Sequence, residues 1–281
     1  MAVVIPELFS EAINSKMETS LRIGKIAFDA TDLTPDIREC GDKVHFPSID
    51  RISGAEVMEK GGSLTPSELS MTDNEAEIKQ VGKAVRIYDR DKIQVKGKVV
   101  DVMSEQIGEE LAKAVDADLV VEMDTSATYK TPVSSANALT YAEMEAGFDV
   151  FGDDVADSSF AGIIINSRSR STIKGFEQFV KADYTYSKDK NGVMGEDGII
   201  GYWNGIIPVI VCDNNTYDET AKESKTYIVK KDALGIIWQK EATIEEERES
   251  LKKATLLSAD ELYAVKLLNS KGVSILRKTI S

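Results

Sequence analysis

The chain is poor in the residues that build reactive or cross-linked sites. Its 281 residues include two cysteines, Cys40 and Cys212, and one histidine, His45. That supply excludes a disulfide framework, and the spacing assembles no local Cys/His zinc site, so a reducing compartment fits the chain best. A catalytic triad needs an imidazole beside its nucleophile, and the single imidazole falls in a strand-like stretch next to Phe46. Positive charge is also short: 34 Lys and Arg stand against 48 Asp and Glu, a net charge of −14. A surface that negative repels a phosphate backbone, which disfavours tight wrapping of nucleic acid. No apolar run approaches the roughly 20 residues of a membrane span. Pro6, Glu7 and Glu11 interrupt what would be the core of an export signal, so neither export nor membrane insertion is expected. No internal repeat at a fixed period is visible.

What is present is enough apolar material for a core, 42% of residues, in a chain long enough for one elaborated domain or two ordinary ones. Residues 3–28 carry Leu8, Ala12, Ile13, Met17 and Leu21 at helical spacing. This reads either as an amphipathic arm lying against something else or as an ordinary first helix of the core. Residues 43–49 alternate Val44, Phe46 and Ile49 as a strand, and Val81, Val85 and Ile87 form a second. Between them lies a polar, glycine-rich excursion with isolated Leu64, Leu69 and Met71. The simplest picture is a protruding hairpin of about 30 residues, too thin to be stable without a partner surface.

Residues 104–123 read as a helix, with Ser104 as N-cap and Ile107, Leu111, Val115 and Leu119 on one face, about 30 Å long. After a loop, Thr140 and Glu143 form a capping box for a second helix ending near Phe151. Residues 160–166 read as a buried strand and 169–180 as a helix. Further strands are expected over 199–202, 205–212 (with Pro208 at a strand edge or start), 226–229 and 233–238. Residues 254–257 and 261–268 suggest two more, and Lys271-Gly272 a hairpin turn into a last strand over 273–277.

Motifs that carry chemistry are scarce. Gly192, Gly195 and Gly198 have neither the spacing nor the adjacent Lys-Ser or Lys-Thr of a phosphate loop. The acid pairs at Asp153-Asp154 and the run Glu245-Glu246-Glu247 suit a solvated face better than a cation site. Asn214-Asn215-Thr216 is read as a turn, and Arg168, Arg170 and Lys174 as grips for a neighbour's carboxylates. Neither a catalytic residue nor a metal or cofactor site is expected.

The order of an arm, a long hairpin, a long helix, an inserted α/β segment and C-terminal strands resembles the major capsid protein of tailed bacteriophages, the HK97-type fold. Phrases similar to that family are Val4-Ile5-Pro6-Glu7-Leu8-Phe9, Gly82-Lys83-Ala84-Val85-Arg86-Ile87, residues 107–118 ending in Ala117-Asp118, Ile206-Ile207-Pro208-Val209-Ile210-Val211, and Tyr227-Ile228-Val229-Lys230-Lys231-Asp232-Ala233-Leu234-Gly235. The resemblance implies an α+β fold with an N-terminal arm (1–41), an extended E-loop hairpin (42–88), a P-domain (89–137 and 225–281) built on the long helix and an antiparallel sheet, and an α/β A-domain (138–224). It implies pentamers and hexamers in an icosahedral shell around double-stranded DNA, with arm and hairpin reaching over neighbours through contacts above about 2,000 Å². The DNA would be enclosed without sequence-specific binding.

Implied partners are further copies of the chain and scaffolding, portal or decoration proteins. A chain that starts at the arm suggests scaffolding supplied from elsewhere or not needed. The implied place is the virion, assembled in the host cytoplasm. Candidate contacts between subunits are Leu8, Phe9 and Ile13 in the arm, Leu64, Leu69 and Met71 in the hairpin, and Arg168 and Arg170. The competing readings are a nanocompartment shell of the same fold, or a cytosolic cation-dependent α/β enzyme using Asp153 or Asp154.

Overall fold

The computed structural model describes residues 6–31, 43–49, 58, 71–94, 99–153, 156–176 and 198–280. Its helices are α1 (Pro6–Ser20), α2 (Asp89–Gln94), α3 (Val99–Ser126), α4 (Tyr141–Asp149) and α5 (Arg170–Lys174). Its strands are β1 (Phe28–Asp29), β2 (Lys43–Ile49), β3 (Met71–Glu77), β4 (Lys79–Tyr88), β5 (Tyr129–Pro132), β6 (Phe160–Ile165), β7 (Ile199–Trp203), β8 (Ile207–Val211), β9 (Tyr217–Asp218), β10 (Glu223–Ser224), β11 (Thr226–Lys230), β12 (Leu234–Glu249), β13 (Ala254–Leu267) and β14 (Val273–Arg277).

The long helix α3 organises the rest. Its 28 residues make it about 42 Å long, longer than the sequence suggests. Ser104 is not its cap but a buried residue one turn inside it; no Gly or Pro lies between Gly97 and Ser104 to stop the helix there. Ile107, Leu111, Val115, Leu119 and Met123 are buried at i, i+4 spacing, so the predicted apolar face holds. That face sits in a cluster fed by two sheets and by α1.

One sheet is six-stranded and mixed, in the order β5-β14-β11-β6-β8-β7. Its alternation serves two cores. Ile164, Tyr227, Val229, Val273 and Ile275 turn to α3, while Ile163, Ile165, Ile228, Val209 and Leu276 turn to the α4 side with Phe148, Phe160 and Trp203. Burial on both faces explains why β6 and β8 read as unbroken apolar runs. Pro208 is the second residue of β8, and the parallel ladder to β6 begins at Val209, so no ladder bond to β6 is lost. The capping box of α4 forms as its sequence promises, Thr140 and Glu143 satisfying each other's backbone N–H groups.

The second sheet is β1-β12-β13-β4. One face packs Leu234, Ile236, Ala259, Tyr263 and Leu267 toward α3 and α1. The other places Ile237 and Ala264 against Val44, Phe46 and Ala76 of the β2–β3 hairpin and against Ala30.

Several expectations need correction. The hairpin pairs β2 with β3, Lys43 opposite Glu77, whereas Val81, Val85 and Ile87 belong to β4, the edge of the four-stranded sheet. A β-branched run cannot reveal from spacing alone which of two strands it joins. The two short strands foreseen over 254–268 are the single strand β13, and β12 runs on through the Glu-rich segment to Glu249; cross-strand pairing holds a sequence that propensity would leave as loop. Lys271-Gly272 is a turn between sheets, not a hairpin, since β14 pairs with β11 and β5. The helix foreseen over 169–180 is a 3₁₀ turn, Ser167–Ser169, followed by the five residues of α5; residues 177–180 lie outside the described ones.

Candidate assembly surface

Among the described residues, no three His, Cys, Asp or Glu side chains converge where they could hold a metal ion. His45 stands exposed on β2, Asp153 is exposed after α4, and Asp154 lies outside the described residues, as do Cys40, Gly192 and Gly195. Cys212 is fully buried beyond β8, and burial together with the Asp116 carboxylate pushes its thiol up to about 12, which keeps it un-ionised near neutral pH.

Several carboxylates of α3 serve in docking. Asp118 accepts from Lys79 on β4 at 3.1 Å and from the Tyr263 hydroxyl on β13 at 3.0 Å. Glu122 meets Lys266 on β13 at 2.9 Å. Asp124 takes Lys225 and the Tyr227 hydroxyl, the latter at 2.8 Å. Glu109 faces Lys16 of α1 at 3.4 Å. An acidic helix is thereby tied to both sheets and to the first helix, with both ends of several bridges partly shielded from water.

The segment after α1 is held most firmly. Asp116 is 1% exposed and accepts three backbone N–H bonds, from Arg22, Ile23 and Gly24, at 3.0 to 3.1 Å. Burial keeps its carboxyl above the usual Asp range even against those three donors. The Arg22 guanidinium continues to the Val211 carbonyl at 2.6 Å. Upstream, α1 crosses α3 at Gly108, where a Cβ would come within 3.0 Å of the Ile13 carbonyl oxygen; the glycine permits the close approach.

Of the expected contact residues, Ile13 is fully buried in the chain's own core. The arm is therefore not free of its body from Ile13 to Ala30, because α3 offers an apolar stripe and an acceptor to bind it, and Ile13 has no surface left for a neighbour. Leu8 and Phe9 fall within α1, Met71 opens β3, and Leu64 and Leu69 lie outside the described residues. Arg168 and Arg170 are both exposed but look different ways. The Arg168 guanidinium stacks 3.7 Å over the Tyr217 ring, and Arg170 lines an open cleft of about 480 Å³ with Arg22 and Lys174. Two apolar residues outside the expected contact set stand at hairpin tips: Ile206, read from sequence as part of the 205–212 strand but lying just before β8, at 54% exposed, and Leu251 at 98%. The signal for the first was the Asn204-Gly205 pair, whose positive φ angles of 50° and 72° make the tight turn.

No protein-family model matches the chain. Comparison with known proteins nonetheless aligns it almost end to end. The major capsid protein of Staphylococcus phage phiMR11 is 24% identical over 276 residues, covering 97% of this chain and 93% of that protein. Among solved structures, the capsid of a native GTA particle matches with a TM-score of 0.66 at 10% identity, over 93% of this chain and 91% of that one. The chain has the HK97-type capsid fold. A virus-like particle from Pyrococcus furiosus is a further neighbour, with a TM-score of 0.64 at 14% identity over 98% of this chain and all of that one. Two features of this capsid fold stand out in the present chain. The β2–β3 hairpin is rooted on its own sheet through Val44, Phe46 and Ala76, and the six-stranded sheet joins strands on both sides of the boundary expected at 224/225.

Proposed function

We propose that the chain is a major capsid protein, a structural subunit without an active site that assembles through pentamers and hexamers into an icosahedral phage head around double-stranded DNA. The observation that carries the reading is the alignment of nearly the whole chain with the major capsid protein of Staphylococcus phage phiMR11, together with its fold match to the capsid of a GTA particle. Charge agrees with it: a subunit with net charge −14 can enclose DNA without gripping it. The chain divides into arm (1–41), E-loop (42–88), P-domain (89–137 and 225–281) and A-domain (138–224), with the 224/225 boundary running through one continuous sheet.

Contacts with neighbouring copies fall to Leu8, Phe9, Leu64, Leu69, Met71, Arg168 and Arg170, joined by the exposed tips Ile206 and Leu251. Ile13 is withdrawn from that set. Scaffolding, portal or decoration proteins complete the particle, which forms in the host cytoplasm. Negative-stain microscopy and size-exclusion chromatography of the purified chain test the reading. Rings or closed shells tens of nanometres across are the expected result, and a monodisperse monomer at every concentration and salt tried would overturn it. Nucleic acid inside particles recovered from infected cells marks a phage head, whereas a packaged enzyme would mark a nanocompartment.

A further inference from the structure

Glu261 is the anomaly of the interior. It is fully buried, and neither carboxyl oxygen has a hydrogen-bond partner. A buried carboxylate in that state is strongly disfavoured, and such groups are rare enough in folded proteins to need a reason. Its position supplies one. Along β13 it lies between Ala259 and Tyr263, both packed into the cluster formed with Leu111, Val115 and Leu119 of α3. On one side the ladder sets it opposite Val81 of β4. On the other side it has no partner, because the register with β12 jumps there: Leu262 pairs with Lys240 and Asp260 with Thr243. Glu261 therefore sits under the long helix at the break in the sheet, where the inner part of β12–β13 gives way to the outer ribbon ending at Leu251.

The cations around it face other carboxylates. On β4, Lys79 pairs with Asp118, and Lys83 lies within electrostatic reach of Glu110. At the break, Lys240 pairs with Asp260, and Glu241 is exposed. On α3, Lys113 pairs with Glu110 and Asp118 takes the Tyr263 hydroxyl. From α1, Lys16 goes to Glu109. None of these cations donates to Glu261. Burial alone raises its carboxyl to about 7.

We propose that Glu261 is a proton-operated latch: with the proton on, the outer β12–β13 ribbon closes onto α3, and with the proton off, the buried charge drives the seam open at the β12 break. The direction follows from linkage. An ordinary glutamate ionises near 4.5, so the closed seam holds an extra proton between about pH 4.5 and 7 and loses ground as pH rises through that window. For a seam that opens to water, the opening equilibrium grows roughly 70-fold from pH 5 to pH 8.5.

Amide hydrogen exchange on the full chain tests this, with protection factors corrected for the intrinsic pH dependence of exchange. Peptides covering 107–123 and 254–263 should lose protection by more than about tenfold between pH 5 and 8.5, while those covering β6 and β8 hold theirs. Glu261→Gln, which cannot ionise, should show the same protection at both values. The latch is refuted if the wild-type seam is indifferent to pH, or if Glu261→Gln keeps the wild-type dependence. Should that variant not fold, Glu261→Leu and the wild-type pH series still decide. Wild type and Glu261→Gln are compared in the same assembly state, and the capsid reading is judged by particle formation, so the two outcomes stay separate.

Discussion

Replacing Asp116 with alanine should release the segment that follows α1. The carboxylate satisfies the N–H groups of Arg22, Ile23 and Gly24, and the Ile23 amide lies in the dry interior. An orphaned buried donor costs about 1–3 kcal/mol, and the two partly buried amides fall at the lower end because water can reach them. Summing gives about 3–5 kcal/mol. Part of this is offset, since burial already opposes ionisation of Asp116 and the variant no longer buries a charge, which leaves roughly 2–4 kcal/mol. That is a large share of the 5–15 kcal/mol typical of a folded domain. Urea unfolding followed through Trp238, which packs beside the first core cluster, reads the loss. Limited trypsin digestion reads its location, with new cleavage after Arg22 and Lys25 before the body is cut. An Asp116→Ala protein within about 0.5 kcal/mol of wild type, with both sites still resistant, would refute the argument that this carboxylate fastens the segment.

Other outcomes follow from the same contacts. Removing residues 1–12 should leave the fold intact and weaken assembly, whereas removing 1–30 also strips Ile13, Met17, Leu21 and Ile23 from the core and should yield insoluble protein; soluble, folded protein from both truncations would contradict the packing. Glu143 is held down to about 2 by the Ser134 and Thr140 donors despite a desolvation penalty that pushes it up. Its contribution is therefore complete above about pH 4.5 and lost as pH falls toward 2, and Glu143→Gln should flatten acid unfolding over that window by about 1–2 kcal/mol after allowance for solvent screening. Gly147→Val would place side-chain atoms against Ile228 and Leu276, which already come within 2.9 Å of a Cβ there, and should cost about 1–3 kcal/mol by thermal melt. Leu251→Asp and Ile206→Asp should leave melting within about 0.5 kcal/mol of wild type while lowering the yield of assembled particles.

The elements most legible in the sequence were those whose own residues decide them. The apolar stripe of α3, the Thr140–Glu143 box and the strand over 43–49 depend on local periodicity and capping. What stayed hidden was long-range pairing. Nothing in Val81, Val85 and Ile87 says that they join β13 rather than β2, and the string Glu245-Glu246-Glu247 is a strand because β13 holds it, against its own preference. The arm was ambiguous for the same reason. Its periodicity predicted a buried face without naming the surface that buries it, and Gly108 and Asp116, ninety residues away, supply that surface. Glu261 reads in sequence as one more surface acid at an alternating position, and burial becomes visible only when α3 is laid across the strand.

The continuity of the six-stranded sheet restricts how this subunit can change shape. β11 and β14 from the C-terminal stretch are hydrogen-bonded edge to edge with β6, β8 and β7 of the inserted segment, so those two blocks cannot swing apart as separate rigid bodies without tearing ladder bonds. On the capsid reading proposed above, adjustment to positions of unequal curvature would come from the periphery, through the β2–β3 hairpin about its root and the slender end of the four-stranded sheet, while the middle of the molecule travels as one piece.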